Sequence, residues 1–288
     1  MIVGIDAGGT STKGALISKA GEVIATFQSG FGNPLIHEEK AIKHVNDVFK
    51  ACIQAADQPV EHVVIGMAGY STAGARLRVP EHWKNYNLTI VNDAELALEA
   101  AIPKGDGILT VAGTGSIHIG KKNQINYTSG GWGHLLGDEG GGYDIGRRAV
   151  RIALTSLESN QPLNSFSRSL LLHIDSGSTD EVKSWFYSQD KFEIARLAEF
   201  VSELADNNDA AALQILESSI KALTGQIRAL YQRMELDTKA NLVLAGSVLL
   251  KNEYCYSLIS KEMRGLFKKI NRMSEPAYIG AYFIADSK

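Results

Sequence analysis

The first thirty residues alternate short apolar runs with glycine-containing turns. The apolar runs cover residues 2–5, 14–18 and 22–28, and they are separated by a glycine-rich segment at 6–11 and by a turn at 19–21. Runs of this length, bounded by turn residues, predict three β-strands connected as an antiparallel meander.

The spacing of apolar residues changes after this meander. Between Pro34 and Ala56 they recur close to the helical period, which predicts an amphipathic helix. The nearly continuous apolar runs at 62–68 and 88–91 predict two buried strands, and the second run leads into a helical segment at 94–101. The meander is therefore predicted to be followed by alternating helix and strand.

The same order of elements begins again after an interruption at 102–107, where a proline and two glycines end the helical pattern. Strands predicted at 108–112, 117–120 and 124–128 reproduce the opening meander, and the first turn is again rich in glycine. This repetition indicates a weak internal duplication.

The rest of the chain is mostly helical by its apolar period. A glycine-rich loop at 130–142 precedes helical segments that extend to about residue 237. One further strand is predicted at 241–245, and it runs into a glycine and another helix.

Two domains are predicted because 288 residues exceed the usual size of one hydrophobic core. The first covers 1–104, and the second covers 105–275 and carries the helical insertions. The C-terminal helix, 276–288, is predicted to pack back on the first domain.

The composition excludes several classes of protein. An apolar content of 44%, a charged content of 21% and a net charge of −3 describe an ordinary globular protein without the basic surplus of a nucleic-acid binder. Cys52 and Cys255 each stand alone in a helix-like pattern, which argues against a disulfide framework and a cysteine-based metal site. With no apolar run of membrane-spanning length and no signal-like start, we expect a cytoplasmic protein without a membrane partner.

Two glycine-rich turns carry the first candidate chemistry. Asp6–Ser11 and Ala112–Ser116 each follow an apolar strand and each end in hydroxyl residues. Glycine allows a close approach of the backbone, consecutive N–H groups cradle an anion, and Thr or Ser adds a hydroxyl donor. One such turn is routine between strands, but the pair predicts a site for the phosphates of a nucleotide.

Three polar residues near predicted element ends have two interpretations each. Asp93 follows a strand, where open α/β sheets place ligand-binding groups, but from the residues alone a helix N-cap is the favoured role. Asn33 precedes Pro34 and fits an N-cap with proline at the first helical position. Asp138, in the glycine-rich loop, fits either a solvated acid or an acceptor for ligand hydroxyls.

The repeated meander with its phosphate-type turn resembles the sugar kinase/Hsp70/actin ATPase superfamily. Asp6–Ser11 is similar to the first phosphate motif of that superfamily, Gly113–Ser116 to the second, and Val243–Val248 to its adenosine motif, with Ala245 in place of the usual first glycine. The segment Gly131–Gly140 resembles the BadF/BadG/BcrA/BcrD branch, and most of all its N-acetylglucosamine kinases. The resemblance implies an α/β fold of two ribonuclease H-like (actin-like ATPase) domains with a central cleft that holds the active site.

The resemblance also implies roles for individual residues. Asp93 would be the catalytic base that takes the hydroxyl proton of the sugar, and Asp6 would bind Mg2+ through water. The residues implied in binding ATP and its phosphates are Gly8, Gly9, Thr10, Ser11, Gly113, Thr114, Gly115, Gly246 and Ser247. Those implied in binding the sugar are Asn33, Asp93, Gly131, Trp132 and Asp138.

The implied reaction is the ATP- and Mg2+-dependent phosphorylation of N-acetylglucosamine at its 6-hydroxyl, by a homodimer. Glucosamine is the alternative substrate, and a non-catalytic sugar sensor or ATP-driven switch on the same fold is the alternative function. The presence of Asp93 argues against the sensor, because a protein that only binds sugar needs no base. The absence of clustered cysteines argues against zinc-containing sugar kinases of the ROK type and against the iron–sulfur activators of the same branch.

Overall fold

The computed structural model describes residues 1–159 and 161–286. In this part of the chain the strands form two five-stranded sheets. The chain divides into two compact units. Unit 1 contains residues 1–105 together with the chain from residue 273 onward, and unit 2 contains residues 106–272.

Strands and helices alternate along much of the chain. The strands are β1 (Ile2–Ala7), β2 (Thr12–Ile17), β3 (Val23–Ser29), β4 (His62–Met67), β5 (Asn87–Asn92), β6 (Gly107–Ala112), β7 (Ser116–Lys122), β8 (Ile125–Gly130), β9 (Asn241–Ala245) and β10 (Lys269–Arg272). The helices are α1 (Pro34–Gln54), α2 (Tyr70–Ala73), α3 (Asp93–Ala101), α4 (Gly142–Glu158), α5 (Ser165–His173), α6 (Thr179–Ser188), α7 (Lys191–Asp206), α8 (Ala210–Arg233), α9 (Ser247–Lys251), α10 (Glu253–Glu262) and α11 (Gly280–Asp286).

The sheet of unit 1 has the order β3-β2-β1-β4-β5. β1 pairs antiparallel with β2 and parallel with β4, which in turn pairs parallel with β5. Ala7, Met67 and Asn92 are partners in this register, so the three parallel strands end level with one another. Ligand-binding groups in open α/β sheets lie beyond such carboxyl ends.

Helices cover both faces of the unit 1 sheet. The apolar stripe of α1, including Val48 and Phe49, packs with β1 in one cluster. On the other face, Leu96 of α3 and Ala281 of α11 pack together with residues of β1, β2 and β4. Both strand faces are therefore buried, which explains the near-continuous apolar runs of β1 and β4. Residues 287 and 288 of the predicted helix 276–288 lie outside the described residues.

The sheet of unit 2 has the order β10-β9-β6-β7-β8. β6 pairs antiparallel with β7 and parallel with β9, as β1 does with β2 and β4. Each strand of unit 2 thus has a counterpart at the same place in unit 1, which confirms the two actin-like ATPase folds that the sequence predicted. The core of unit 2 is formed by α4, α7 and α8 against β6 and β9, with Ala149, Leu197 and Leu223 fully packed.

One strand of unit 2 has no counterpart in the sequence-based prediction. β10 contains a single apolar residue, Ile270, and it lies at the edge of the sheet beside β9. Edge strands are stabilised by pairing on one side and do not need an apolar run. No described helix combines the length and the apolar character that crossing a membrane requires.

Candidate active site

Two carboxylates lie at the carboxyl edge of the unit 1 sheet. Asp6 is the next-to-last residue of β1, and Asp93 follows β5 directly. Burial, and after it the charge of Asp93, raises the pKa of Asp6 to about 7, while Lys13 opposes the shift. The two carboxylates are thus close enough to repel each other, and Asp6 is poised to gain or lose a proton near neutral pH.

The helix cap beside Asp93 is provided by its neighbour. Asn92 is the N-cap of α3, and its Oδ1 accepts the Ala94 N–H at 3.0 Å. Asp93 Oδ1 shares that N–H at 3.0 Å as the first residue of the helix. The expectation from the residues alone, that Asp93 is the N-cap, is therefore wrong. Burial raises the pKa of Asp93, opposed by hydrogen bonds from backbone N–H groups, and such a carboxylate is suited to accept a proton.

The β1–β2 turn is closed by a hydrogen bond within itself. The Gly8 N–H donates to the Ser11 carbonyl at 3.0 Å, so this N–H is used inside the turn. Thr10 is exposed, and the Cβ position of Gly9 has no atom within 4 Å. The Gly8 carbonyl accepts from Gly32 N–H at 2.8 Å, which ties the turn to the loop before α1. An anion can approach this turn at Gly9 and Thr10.

Asn33 caps α1 through its side-chain oxygen, and its Nδ2 group has no hydrogen-bond partner among the described residues. Its Oδ1 accepts the Leu35 N–H at 2.9 Å, and Pro34 occupies the first helical position. The cap uses the oxygen alone, so the Nδ2 group remains available to donate. Gly69, with φ of 76°, lies against this side chain, because a Cβ there would be 2.7 Å from Asn33 Oδ1. The sequence reasoning did not single out Gly69, which contacts Asn33 here.

The β6–β7 turn of unit 2 repeats the construction of the β1–β2 turn. The Gly113 N–H donates to the Gly115 carbonyl at 2.9 Å, as Gly8 donates in unit 1. The start of α4 supports the turn, because Gly142 N–H donates to Gly113 O at 2.7 Å and Tyr143 N–H donates to Thr114 O at 2.9 Å. The Cβ position of Gly113 has no atom within 4 Å, so the turn presents an open side.

The glycine-rich loop 130–141 folds against this turn. Asp138 has a left-handed backbone, with φ of 63°, and its carboxylate accepts the N–H groups of Ser116 and Gly133. A methyl group at Gly115 would overlap that carboxylate, so Asp138 and Gly115 are in direct contact. Burial raises the pKa of Asp138, against the hydrogen bonds and the charge of Lys191. The structure therefore brings Asp138, which was predicted to bind the sugar, into contact with the turn that was predicted to bind phosphate.

Two other predicted residues, Gly131 and Trp132, lie at the start of the same loop, directly after β8. Gly131 donates its N–H to the Ser116 carbonyl at 3.1 Å and continues the pairing of β7 and β8. The Trp132 side chain is 67% exposed, and the ring rests beside Gly137. An exposed indole offers an apolar face to a ligand.

Gly246 connects β9 to α9 at a position where no other residue fits. Its φ of 87° and ψ of 154° lie in a region that is essentially restricted to glycine, and a methyl group would overlap the Ala112 backbone. Ser247 is exposed at the start of α9. Ala245 is buried within β9, so the methyl group that replaces the usual glycine lies inside the sheet. Gly69 is the unit 1 counterpart of Gly246, after β4 and before α2.

The acidic residues of unit 1 fit a magnesium ion that keeps most of its water. Among the described residues there is no group of three or more His, Cys, Asp or Glu side chains that could hold a metal. Mg2+ needs few protein ligands, and one carboxylate with bound waters is sufficient. Asp6 meets this requirement, because it is half-buried, forms no ion pair among the described residues, and has a raised pKa that a bound cation would lower.

The sequence model of the BadF/BadG/BcrA/BcrD ATPase family matches residues 3–285. The chain belongs to this family. A protein of Clostridium acetobutylicum named N-acetylmuramic acid/N-acetylglucosamine kinase is 28% identical over 100% of this chain and 98% of the relative. A Vibrio cholerae protein named glucosamine kinase is 25% identical over 80% of both chains.

A solved structure shows the same fold. A Chromobacterium violaceum protein, provisionally named N-acetylglucosamine kinase, superposes with a TM-score of 0.79 over 98% of each chain at 21% identity. The match covers 98% of this chain and so includes residues of both units.

Proposed function

We propose that this protein phosphorylates the 6-hydroxyl group of N-acetylglucosamine with ATP. Membership of an ATPase family and the sugar-kinase names of relatives that match the whole chain support an ATP-dependent amino-sugar kinase. The observation that carries the reaction type is the carboxylate of Asp93, which is half-buried at the carboxyl edge of the unit 1 sheet and leaves the capping of α3 to Asn92.

The chemical step requires a base for the sugar hydroxyl. The 6-oxygen forms a bond to the γ-phosphorus, the bond from that phosphorus to the β,γ-bridging oxygen breaks, and ADP leaves. Asp93 accepts the hydroxyl proton as the new bond forms. Asp6 would hold Mg2+ through water, and the ion, when bound, supplies positive charge to the phosphate oxygens.

Residues of both units are proposed to contact the ligands. In unit 2, the open turn at Gly113–Gly115 and the Gly246–Ser247 junction are proposed to bind ATP, with the Thr114 hydroxyl donating to phosphate oxygens. Asp138 and Trp132 in the same unit are proposed to bind the sugar. In unit 1, Gly9, Thr10 and Ser11 are the proposed phosphate contacts, and the free amide of Asn33 is the proposed donor to the sugar.

N-acetylglucosamine is the proposed substrate because the Clostridium acetobutylicum relative, which matches 100% of this chain and 98% of its own, is named for N-acetylmuramic acid and N-acetylglucosamine. Glucosamine remains the alternative substrate, since the Vibrio cholerae relative bears that name.

The test is a measurement of ADP release with ATP, Mg2+ and a panel of N-acetylglucosamine, glucosamine, N-acetylmannosamine and glucose. We expect the highest kcat/KM for N-acetylglucosamine. Asp93→Asn should lower kcat by about 10²- to 10⁴-fold, which is the usual contribution of a positioned base. Glu95→Gln, which removes another carboxylate from the first turn of α3, is the matched control and should stay close to wild type.

Two results would contradict the proposal. ADP release that no sugar increases above the sugar-free rate would favour the sensor or switch. An Asp93→Asn protein that keeps kcat within tenfold of wild type would exclude Asp93 as the base.

A further inference from the structure

A chain of four polar side chains crosses the interior of unit 2 and ends in the glycine-rich loop. Thr110 Oγ1 lies 3.0 Å from His118 Nδ1, and His118 Nε2 lies 2.9 Å from Gln226 Oε1. Gln226 Nε2 donates to Glu139 Oε2 at 2.9 Å. Thr110 and His118 are completely buried, and nothing in the proposed reaction uses them.

The Glu139 carboxylate at the end of this series determines which atom donates in each of its hydrogen bonds. Glu139 can only accept, so Gln226 must donate its amide N–H to Glu139 and accept through its oxygen. His118 must then carry its proton on Nε2, and its Nδ1 accepts from the Thr110 hydroxyl. Burial lowers the pKa of His118 to about 4, so the ring is neutral at physiological pH and this single pattern persists.

The strand register explains why these residues meet. Thr110 and His118 are direct partners on β6 and β7, and Ser116 lies two residues from His118 on the same face of the sheet. Ser116 Oγ donates to the Glu139 carbonyl at 2.7 Å, and Ser116 N–H donates to the Asp138 carboxylate. Ser116 at the start of β7 therefore holds two consecutive residues of the loop, Asp138 and Glu139.

Helix α8 holds the same loop from its other side. Gln226 reaches Glu139, and Leu223, one turn earlier, lies where a methyl group at Gly140 would be. Gly140 has φ of 76°, so its left-handed backbone permits this close approach. Glycine-rich segments lose much conformational entropy when they are ordered, and these contacts supply the order before a ligand arrives.

We infer that Thr110, His118 and Gln226 are positioning residues that orient Glu139 and thereby hold Asp138 in the geometry that binds the sugar. This inference rests on the proposed role of Asp138 in sugar binding. It predicts that removing one of these hydrogen bonds weakens sugar binding, while the chemical step at Asp93 changes less. The KM for N-acetylglucosamine should therefore rise more than kcat falls.

The first experiment removes hydrogen bonds of this network at two positions. His118→Phe keeps a ring of similar size without nitrogen, and Gln226→Leu keeps the volume without the amide. Each should raise the KM and the calorimetric Kd for N-acetylglucosamine by about 10- to 100-fold, the change expected when a charged group loses a hydrogen bond. His118→Gln restores one donor and one acceptor and should recover most of this loss.

A matched control separates positioning from general damage to the core. Ser219 is also buried on α8, and its hydroxyl has no hydrogen-bond partner within the described residues. Ser219→Ala should leave KM unchanged. If His118→Phe does not fold, Gln226→Leu on the helix side carries the test, and thermal unfolding of each variant reports its folded fraction.

A double-mutant cycle tests whether the effect passes through Glu139. In a Glu139→Ala background, Gln226→Leu should raise the Kd by less than twofold further, whereas independent damage would multiply the two effects. Multiplied effects, or single variants that bind sugar like wild type, would overturn the inference. A wild-type protein that binds sugar but releases no ADP would contradict the proposed kinase alone, because the Kd series still tests the positioning residues.

Discussion

The raised pKa of Asp6 predicts that this residue destabilises the folded protein at neutral and alkaline pH. The pKa is about 7 in the folded state against 3.8 for an ordinary aspartate, through burial and the nearby Asp93. The folded state therefore binds the proton more tightly than the unfolded chain does. The contribution of the bound proton to the free energy of unfolding is fully present below pH 3.8, and it is lost as the pH rises through about 7.

The size of this effect follows from the shift. A difference of about three pKa units corresponds to roughly 4 kcal/mol, since each unit is worth about 1.4 kcal/mol. Linkage places roughly 2 to 3 kcal/mol of this change between pH 5 and pH 8. Asp6→Asn has nearly the same shape and cannot ionise. Relative to wild type it should be more stable by roughly 4 kcal/mol at pH 8, and by only roughly 1.5 to 2 kcal/mol at pH 5.

Urea unfolding at pH 5 and pH 8 provides the assay. Trp83 is fully buried in unit 1 and reports the unfolding of that unit when Trp132 and Trp185 are replaced by phenylalanine. Asp57→Asn, which removes an exposed carboxylate from the same unit, controls for the change in net charge. A stability difference between Asp6→Asn and its parent that is equal at both pH values would refute the reasoning.

Three further predictions concern the proposed site. Asp93→Asn should bind ATP with a calorimetric Kd within about threefold of wild type, because it removes a base and no phosphate contact; a large loss of ATP affinity would contradict this. Gly115→Ala should lower the free energy of unfolding by about 1–3 kcal/mol because its methyl group meets the Asp138 carboxylate, whereas Gly113→Ala should unfold like wild type in urea. Trp132→Ala should raise the KM for the sugar without changing the unfolding midpoint, since the side chain is 67% exposed; an unchanged KM would exclude Trp132 from the sugar site.

The pattern of apolar runs predicted most of the two sheets for physical reasons. β1, β4, β6 and β9 are buried on both faces, and burial requires the continuous apolar runs that the sequence shows. β10 was missed because an edge strand with one apolar residue has no such requirement. Its place is determined by β9 beside it.

The candidate site was predicted less completely, because several of its contacts are not local. Asn92 and Asp93 both suit an N-cap, and only the structure shows that Asn92 takes this position. The contact of Asp138 with Gly115 depends on a left-handed residue in a long loop, and composition does not indicate it. Gly69 could have been found, since Ala68-Gly69 follows an apolar strand as Ala245-Gly246 does.

The most direct test of the proposed function is to identify the product formed from ATP, Mg2+ and N-acetylglucosamine. Proton–phosphorus correlation in NMR spectra assigns the phosphate to one oxygen of the sugar. The proposal predicts a single new phosphate ester at the 6-position, formed in equal amount with ADP, and formed at least about 10²-fold more slowly by Asp93→Asn. A phosphate on another oxygen, or ADP without any phosphorylated sugar, would contradict it.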